Sequence, residues 1–289
     1  MKFVTYTYEG ASAVGVLSAD DSAVIPASEL GLKSDSMNEL ICELGGSLPA
    51  IPDGAKSIPL TAVKLDAPIP EPKQDVVCLG LNYRDHVDEA TRADAVFDVQ
   101  RGDAVYFAKR LQRAVAPDGI IDGHFDICDS LDYEVELGVI IGRDAKNVKA
   151  VDAGDYIFGY TIINDVSARN LQTRHKQWYF GKSLDDFTPM GPCIVSAETI
   201  GAMPELGIRC YVNGELRQSS NTHNMIFDIP YVIEELSAGM TLKAGTVIAT
   251  GTPSGVALGM PPETRRYLKS GDVIRCEIDG IGVLENTVG

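Results

Sequence analysis

The pattern of hydrophobic and polar positions predicts β-strands along much of the chain, some from two-residue alternation and others from short apolar runs. Lys2–Tyr8 and Ser12–Leu17 alternate, Asp75–Leu79, Tyr133–Ile141 and Ile157–Asn164 are apolar runs, and further strands are predicted at Thr246–Thr250, Val273–Ile278 and Ile281–Leu284. The Asn213-Gly214 pair predicts a hairpin, because Asn-Gly adopts the tight turn that joins two antiparallel strands. Many strands and few long helices predict a mainly β fold with some α (α+β).

Helical spacing is limited to three stretches, Met37–Leu44, Asn82–Ala90 and Met225–Ala238, the last followed by Gly239. The proline-rich stretch Ala67–Pro72 favours extended backbone and reads as a link between two parts of the chain. We therefore predict a small N-terminal α+β domain over residues 1–70 and a main domain over residues 71–289.

The composition of the chain limits the classes of partner that the protein can bind. The 289 residues include 25 Lys+Arg and 41 Asp+Glu, so the formal net charge is −16. This charge argues against binding to nucleic acid or to an anionic membrane surface, since both need a basic surface. No apolar run reaches the roughly 18 residues of a membrane helix. The N-terminus lacks a secretory pattern and the six cysteines form no CxxC motif, so we expect a cytoplasmic protein with reduced thiols.

Three carboxylates stand out against apolar strands. Glu134 and Glu136 are two residues apart, so they share one face of a strand, and Asp165 follows the next long strand. Adjacent carboxylates repel each other, and a hard divalent cation such as Mg²⁺ or Mn²⁺ relieves that repulsion. The alternative is a solvated strand face with Asp165 capping a helix, and the spacing leaves both interpretations open.

Other polar residues could serve such a centre. His86 and Glu89 are three residues apart, so on a helix they face the same way and could form a general base; a casual surface pair is the alternative. Lys182 could stabilise an enolate or could be an ordinary surface lysine. The Gly-rich segment around Thr252 could present N–H groups and a hydroxyl to a carboxylate, or could be only a tight turn.

Six segments, in order along the chain, together resemble the fumarylacetoacetate hydrolase family, in particular its bacterial acylpyruvase and oxaloacetate decarboxylase-like members. They are GLNYRDHVDEA at 80–90, DYEVELGVIIG at 132–142, NDVSARNLQ at 164–172, GKSLDDFTPMGP at 181–192, VNGELRQSSNTHNMIF at 212–227 and ATGTPSGV at 249–256. The resemblance covers the chain from about residue 75 to its end. It implies a β-roll-like catalytic domain with a small N-terminal domain, assembled as a homodimer.

The resemblance also implies roles for individual residues. The implied Mg²⁺ or Mn²⁺ ligands are Glu134, Glu136 and Asp165. The implied catalytic residues are His86, Glu89 and Lys182. The implied substrate-binding residues are Lys109, Gln172 and Thr252.

The activity that this resemblance favours is metal-dependent hydrolysis of a C–C bond in an acylpyruvate or related 2,4-diketo acid, through a pyruvate enolate. Oxaloacetate decarboxylation and 2-hydroxydienoate isomerisation use the same enolate and stay open as alternatives, as does a catalytically silent metal-binding protein. The substrate would be a small anionic keto acid. Because the chain itself carries −16 charges, we expect a locally positive pocket inside an acidic surface.

Overall fold

The structure is a computed structural model, and it describes residues 1–87 and 102–289. Its strands are β1 (Lys2–Tyr8), β2 (Ala11–Leu17), β3 (Ala23–Pro26), β4 (Ile58–Pro59), β5 (Lys64–Leu65), β6 (Val76–Gly80), β7 (Val105–Lys109), β8 (Ile120–Ile121), β9 (Leu131–Asp132), β10 (Val135–Ile141), β11 (Ile157–Asn164), β12 (Ser167–Ala168), β13 (Met190–Ser196), β14 (Gly207–Val212), β15 (Glu215–Asn221), β16 (Val247–Ala249), β17 (Val273–Ile278) and β18 (Gly282–Val288). Its α-helices are α1 (Met37–Leu44), α2 (Arg169–Arg174), α3 (Tyr179–Lys182), α4 (Ala197–Ile200) and α5 (Ile229–Gly239). Short 3₁₀ helices span Ala27–Leu30, Leu60–Ala62, Ala150–Tyr156, Thr222–Asn224 and Ala257–Gly259.

The strands of the described residues form three sheets. The largest has eleven strands in the order β4-β3-β2-β1-β13-β11-β10-β16-β6-β7, with β5 paired to β1. A five-stranded sheet has the order β15-β14-β17-β18-β8, and β9 pairs with β12. This architecture confirms the predicted mainly β fold with some α. The large sheet runs from β1 directly into β13, and the domain division at residue 70 stays a prediction.

Most predicted elements match the observed ones to within one or two residues, including α1 and the β14–β15 hairpin. Two elements differ by more than this: the helix predicted from Met225 begins only at Ile229, and the strand predicted to end at Leu284 continues to Val288. Asp228 causes the later start, since its side chain caps the helix by accepting a hydrogen bond from the Tyr231 N–H at 2.8 Å. The predicted helix at 82–90 is described only to residue 87, with helical backbone over 84–87.

Helix α1 begins at a capping box. The Ser36 side chain accepts from the Glu39 N–H, and the Glu39 carboxylate accepts from the Ser36 N–H. Gly45 ends the helix in a left-handed conformation with φ +56°. The buried face of α1 carries Leu40 and Ile41, which pack into an apolar cluster on one side of the large sheet.

The central strand β10 is buried on both faces. Leu137 and Val139 belong to one apolar cluster, whereas Ile140 belongs to the cluster that contains α1. Because side chains alternate, Glu136 emerges on the same face as Ile140. A charged group therefore enters the apolar interior where β10 starts. Among the described residues, no helix has both the length and the apolar character that crossing a membrane requires.

Candidate active site

The three predicted carboxylates meet where β10 begins and β11 ends. The antiparallel register pairs Val135 with Asn164, and the Asp165 N–H donates to the Glu134 carbonyl at 2.8 Å. The Asn164 side-chain oxygen accepts from the Glu134 N–H at 3.1 Å, which fixes the backbone between the strands. As a result, one oxygen each of Glu134, Glu136 and Asp165 lies within 4.8 Å of the others, and all three residues are buried.

Two buried lysines neutralise part of this cluster. Lys182, only 2% exposed, donates through Nζ to Glu134 Oε2 and to Asp165 Oδ2, both at 2.7 Å. Burial opposes its ionisation, but the charges of Asp165 and Glu134 outweigh burial and raise the pKa of Lys182. Lys109 donates to Asp165 Oδ1 and, at 3.0 Å, to the Val166 carbonyl. Lys182 is therefore not the surface lysine that the alternative interpretation allowed.

Glu136 is the carboxylate without a cation. It is 1% exposed and accepts from the Gly251 N–H at 2.8 Å, while no ion pair joins it to a cationic side chain in residues 1–87 or 102–289. Burial, followed by the charges of Asp165 and Glu134, raises its pKa well above the ordinary value. A buried carboxylate beside two others fits a hard divalent cation, which prefers oxygen ligands and supplies the missing charge.

Gly251 reaches Glu136 because it has no side chain. Its φ is +94°, in the region that favours glycine, and a Cβ there would lie 2.8 Å from the Asn82 Cβ. The Asn82 amide in turn donates to the carbonyls of Thr250 at 2.8 Å and Phe227 at 3.0 Å. The Gly-rich segment is therefore a turn held by hydrogen bonds from Asn82, and it presents the Gly251 N–H to the carboxylate cluster.

Asp132 and Arg169 belong to the site, and sequence reasoning missed both. The Arg169 guanidinium donates to Asp132 Oδ2 at 2.9 Å and to Glu134 Oε1 at 2.6 Å. It also donates to Gln172 Oε1 at 3.0 Å. The signal was present in the spacing, since Asp132 lies two residues before Glu134, as Glu134 does before Glu136, and Arg169 lies one helical turn before Gln172.

A small pocket of about 30 Å³ opens over the cluster. It is lined by Leu79, Gly80, Leu81, His86, Phe107, Glu134, Glu136, Arg169, Gln172, Trp178, Lys182 and Thr252. His86, Gln172 and Thr252 therefore line one pocket beside the carboxylates, and their catalytic and substrate-binding roles stay predictions. Lys109 is 0% exposed and is absent from the lining, so it contacts the cluster from behind through Asp165. Glu89 lies outside the described residues.

The Thr252 hydroxyl is already engaged within the protein. It donates to the Val135 carbonyl at 2.9 Å and accepts from Gln218 Nε2 at 2.7 Å. The Gln218 oxygen accepts from the Val135 N–H at 3.0 Å, so Gln218 closes the link between the Gly-rich turn and β10. The Thr252 hydroxyl proton is therefore used in a hydrogen bond to the backbone. Toward the pocket, Thr252 could only accept a hydrogen bond or make contact through its methyl group.

Close packing of α2 and α3 places Lys182 beside Gln172. Gly181 makes this possible, because a Cβ at that position would lie 2.5 Å from the Gln172 backbone nitrogen and 2.7 Å from the Ala168 carbonyl oxygen. Any side chain at 181 would force the helices apart. The lysine and the amide would then lose their common position at the pocket wall.

Comparison with known proteins agrees with this geometry. Residues 75–289 match the family described as fumarylacetoacetate (FAA) hydrolase C-terminal. The chain is similar to the oxaloacetate tautomerase YisK of Bacillus subtilis, with 47% identity over 80% of this chain and 74% of that protein.

Two solved structures are similar along the whole chain. One is a fumarylacetoacetate hydrolase from Exiguobacterium antarcticum, with a TM-score of 0.86 and 38% identity over 100% of this chain and 99% of that one. The other is a 5-carboxymethyl-2-hydroxymuconate delta-isomerase from Mycobacterium smegmatis, with a TM-score of 0.76 and 31% identity over 100% and 99% of the two chains. The matched family, these neighbours and the buried carboxylate cluster lead to one conclusion: this chain belongs to the fumarylacetoacetate hydrolase family.

Proposed function

We propose that this protein is a divalent-metal-dependent enzyme that interconverts the keto and enol forms of oxaloacetate or of a closely related 2-keto dicarboxylate. The observation that carries the proposal is a pocket lined by the Lys182 ammonium and by the buried Glu136, which forms no ion pair with a cationic side chain in the described residues. The relative named oxaloacetate tautomerase, at 47% identity, supports the choice of substrate. We propose Glu134, Glu136 and Asp165 as ligands of Mg²⁺ or Mn²⁺.

The charges of the pocket suit an anion. Glu134 and Glu136 line it together with Lys182 and Arg169, so the formal charges of these four side chains sum to zero. A divalent cation would make the pocket positive inside a chain of net charge −16. That cation would supply Lewis-acid polarisation of the keto group. A small dicarboxylate is the substrate class that such a pocket attracts.

The side chains around the pocket provide the remaining chemistry. His86 lines the pocket and would take a proton from the carbon next to the keto group, then return it to the enolate oxygen. Lys182, held by two hydrogen bonds of 2.7 Å, would stabilise the negative charge that develops on that oxygen. Keto and enol forms differ only in the position of this proton, so no other bond breaks.

Hydrolysis of acylpyruvates is the second candidate, because His86 in the pocket could equally activate a water molecule. That reaction passes through the same type of enolate but needs an attacking water and the support that the family resemblance assigns to Glu89. Tautomerisation needs neither. The two candidates therefore differ in what they require of the dyad, and the carboxylates and Lys182 serve both.

The test uses oxaloacetate dissolved as its enol, whose ultraviolet absorbance falls as the keto form appears. With Mg²⁺, we expect the protein to accelerate this decay far above buffer, and EDTA to abolish the acceleration. Removing one preorganised charge or donor costs about 10²–10³-fold in rate, so Lys182→Met should lose that much. The exposed Lys269→Met is the matched control and should keep full activity.

Product analysis separates the candidates. Pyruvate formed in step with the absorbance loss would indicate decarboxylation instead of tautomerisation. Turnover of an acylpyruvate panel, with oxaloacetate decaying at the buffer rate, would favour hydrolysis. If neither substrate reacts faster than in buffer with Mg²⁺ or Mn²⁺, the proposed enzyme class is wrong.

A further inference from the structure

Two cysteines face each other in the five-stranded sheet, outside the pocket lining. Cys210 of β14 and Cys276 of β17 are partners in the antiparallel register. Residues that lie directly opposite each other in such a ladder point their side chains to the same face of the sheet. Cys210 is 0% exposed and Cys276 is 1% exposed, and both belong to the larger apolar cluster. Two thiols therefore lie side by side in the interior.

Hydrogen bonds at the two ends of this ladder determine the spacing of the pair. At one end the Asn213 N–H donates to the Val273 carbonyl at 2.9 Å. At the other end the Asp279 N–H donates to the Gly207 carbonyl at 3.0 Å. Because hydrogen-bonded and non-hydrogen-bonded pairs alternate along an antiparallel ladder, both bonds make the cysteines a non-hydrogen-bonded pair, with Cα atoms about 4.5 Å apart. Disulfides join Cα atoms about 4.4–6.8 Å apart, so the backbone already has a spacing that an S–S bond permits.

The surroundings of the two thiols make oxidation slow but favour pairing once it begins. Burial raises the pKa of the Cys210 thiol well above its ordinary value, and the Cys276 side chain raises it further. A thiol with a raised pKa is seldom ionised and is a slow nucleophile. After either sulfur has been oxidised, however, the other is held beside it, and such proximity acts like a very high local concentration.

The pair adjoins a link to the pocket. On the other side of β14, Cys210 lies opposite Gln218 of β15, so both side chains point to the same buried face. The Gln218 amide donates to the Thr252 hydroxyl at 2.7 Å, and its oxygen accepts from the Val135 N–H at 3.0 Å. A bond between β14 and β17 would therefore restrain the strand that lies beside Gln218.

We propose that Cys210 and Cys276 are a redox-sensitive pair that closes to a disulfide between β14 and β17 when a hydroperoxide oxidises one of the thiols. One sulfur attacks the peroxide, whose O–O bond breaks to give a sulfenic acid and an alcohol, or water from hydrogen peroxide. The second sulfur attacks the sulfenic sulfur, the S–O bond breaks, and water leaves as the S–S bond forms. The two thiols lose two electrons and two protons, and the peroxide takes them up. The inference is independent of the proposed function, since neither cysteine lines the pocket.

The experiment maps the thiols of the folded protein after exposure to hydrogen peroxide. Cys42→Ser is used as the background, because Cys42 is the exposed thiol among the six cysteines. Catalase and acid stop the reaction, and N-ethylmaleimide then labels the remaining thiols in urea. We expect two fewer labels per chain and a linked peptide about 2 Da lighter than the two reduced peptides together, both reversed by dithiothreitol. The linked peptide should exceed any other cysteine pairing by at least about 10-fold.

Matched variants separate the pair from general thiol oxidation. Cys276→Ala should give no linked peptide, whereas Cys193→Ala, which removes another buried thiol, should leave the linkage unchanged. Cys78 is an internal control: it is buried on β6 opposite Phe107 and Ala249, and it should still take its label.

Two results would overturn the inference. One is recovery of Cys210 and Cys276 as separate labelled peptides after a peroxide dose that oxidises every thiol of the urea-unfolded chain. The other is a lower urea midpoint for the oxidised protein, which would mean that the folded sheet does not accommodate the bond. We expect a higher midpoint, because the disulfide restricts the unfolded chain between its two ends.

Discussion

In β1 and β2 the buried side chains are apolar apart from Thr5, whereas the adjoining ends of β10 and β11 bury three carboxylates. The Thr5 hydroxyl is satisfied by the nearby Pro68 carbonyl at 2.7 Å. The carboxylates instead take their partners from distant segments, as in the ion pair of Lys182 with Glu134, 48 residues away. Both regions belong to one eleven-stranded sheet. The same scaffold thus carries an apolar end, which needs only close packing, and a charged end, which needs compensating charge.

This difference has an energetic consequence. An apolar side chain in the first region contributes to stability in proportion to the area it buries. In the second region each buried charge is costly by itself and stabilising only with its partner. Substitutions in the first region should therefore change the free energy of unfolding and leave metal affinity as it is. Substitutions in the second region should change the free energy of unfolding and the metal affinity by different amounts.

The largest effect should follow from removing the lysine that bridges two carboxylates. Lys182→Met leaves Glu134 and Asp165 without their 2.7 Å partner, and breaking a buried pair costs about 3–5 kcal/mol. The free energy of unfolding, measured with urea in EDTA, should fall by that amount. Mg²⁺ should restore part of it, since the cation replaces the missing charge. A loss below about 0.5 kcal/mol, the range expected for the exposed control Lys269→Met, would show that the charged end does not depend on pairing.

A cavity in the apolar end should lower the free energy of unfolding nearly as much, but it should not change the carboxylate cluster. Leu40 is 0% exposed on α1, and a Leu→Ala change in a core costs about 2–5 kcal/mol. Leu40→Ala should lower the urea midpoint, whereas Mg²⁺ affinity by calorimetry should equal that of the wild type. Leu44→Ala, half-buried on the same helix, should cost less. A changed Mg²⁺ affinity in Leu40→Ala would mean that the two regions are coupled.

The smallest of the three effects should have the opposite sign. Glu136 is buried and has no ion pair with a cationic side chain in residues 1–87 or 102–289, so ionising it in the folded protein is costly. Glu136→Gln is never charged and should stabilise the protein in EDTA, at a pH where free glutamate is ionised, by about 2 kcal/mol. The same variant should lose the stabilisation by Mg²⁺ that the wild type shows, because one proposed ligand is gone. Glu263→Gln, at an exposed position, should change neither quantity. Destabilisation of Glu136→Gln in EDTA would show that the carboxylate has a cationic partner in the metal-free protein, in addition to the Gly251 N–H.

Local pattern was enough to predict most of the fold. Strands such as β1 and β2 follow two-residue alternation, β10 and β11 are continuous apolar runs, and α1 follows helical spacing, because each of these patterns depends on neighbours within a few residues. The helix that begins at Ile229 was predicted to begin earlier, because the apolar residues from Met225 on already have helical spacing before the cap at Asp228. Sheet order was not predictable in this way, as β1 pairs with β13 although Lys2 and its partner Val195 are far apart in the sequence.

The site was predictable only in part. The spacing of Glu134 and Glu136 predicted two carboxylates on one face. The family resemblance identified Lys182, His86 and Gln172, which line the pocket. Lys109 lies behind Asp165, not in the pocket lining, and Asp132 and Arg169 were missed. Those features depend on the directions of side chains that come from different elements.

The amino-acid sequence by itself determined the strands, the shared face of two glutamates and the net charge of −16, because each follows from residue type and short spacing. Only the tertiary structure decided that Lys182 and Lys109 hold Asp165, that Arg169 holds Glu134, and that Glu136 has no cation in the described residues. Ion pairing acts over a few ångströms in space and has no relation to distance along the chain. The carboxylate left uncompensated, on which the metal proposal depends, is therefore a property of the folded sheet.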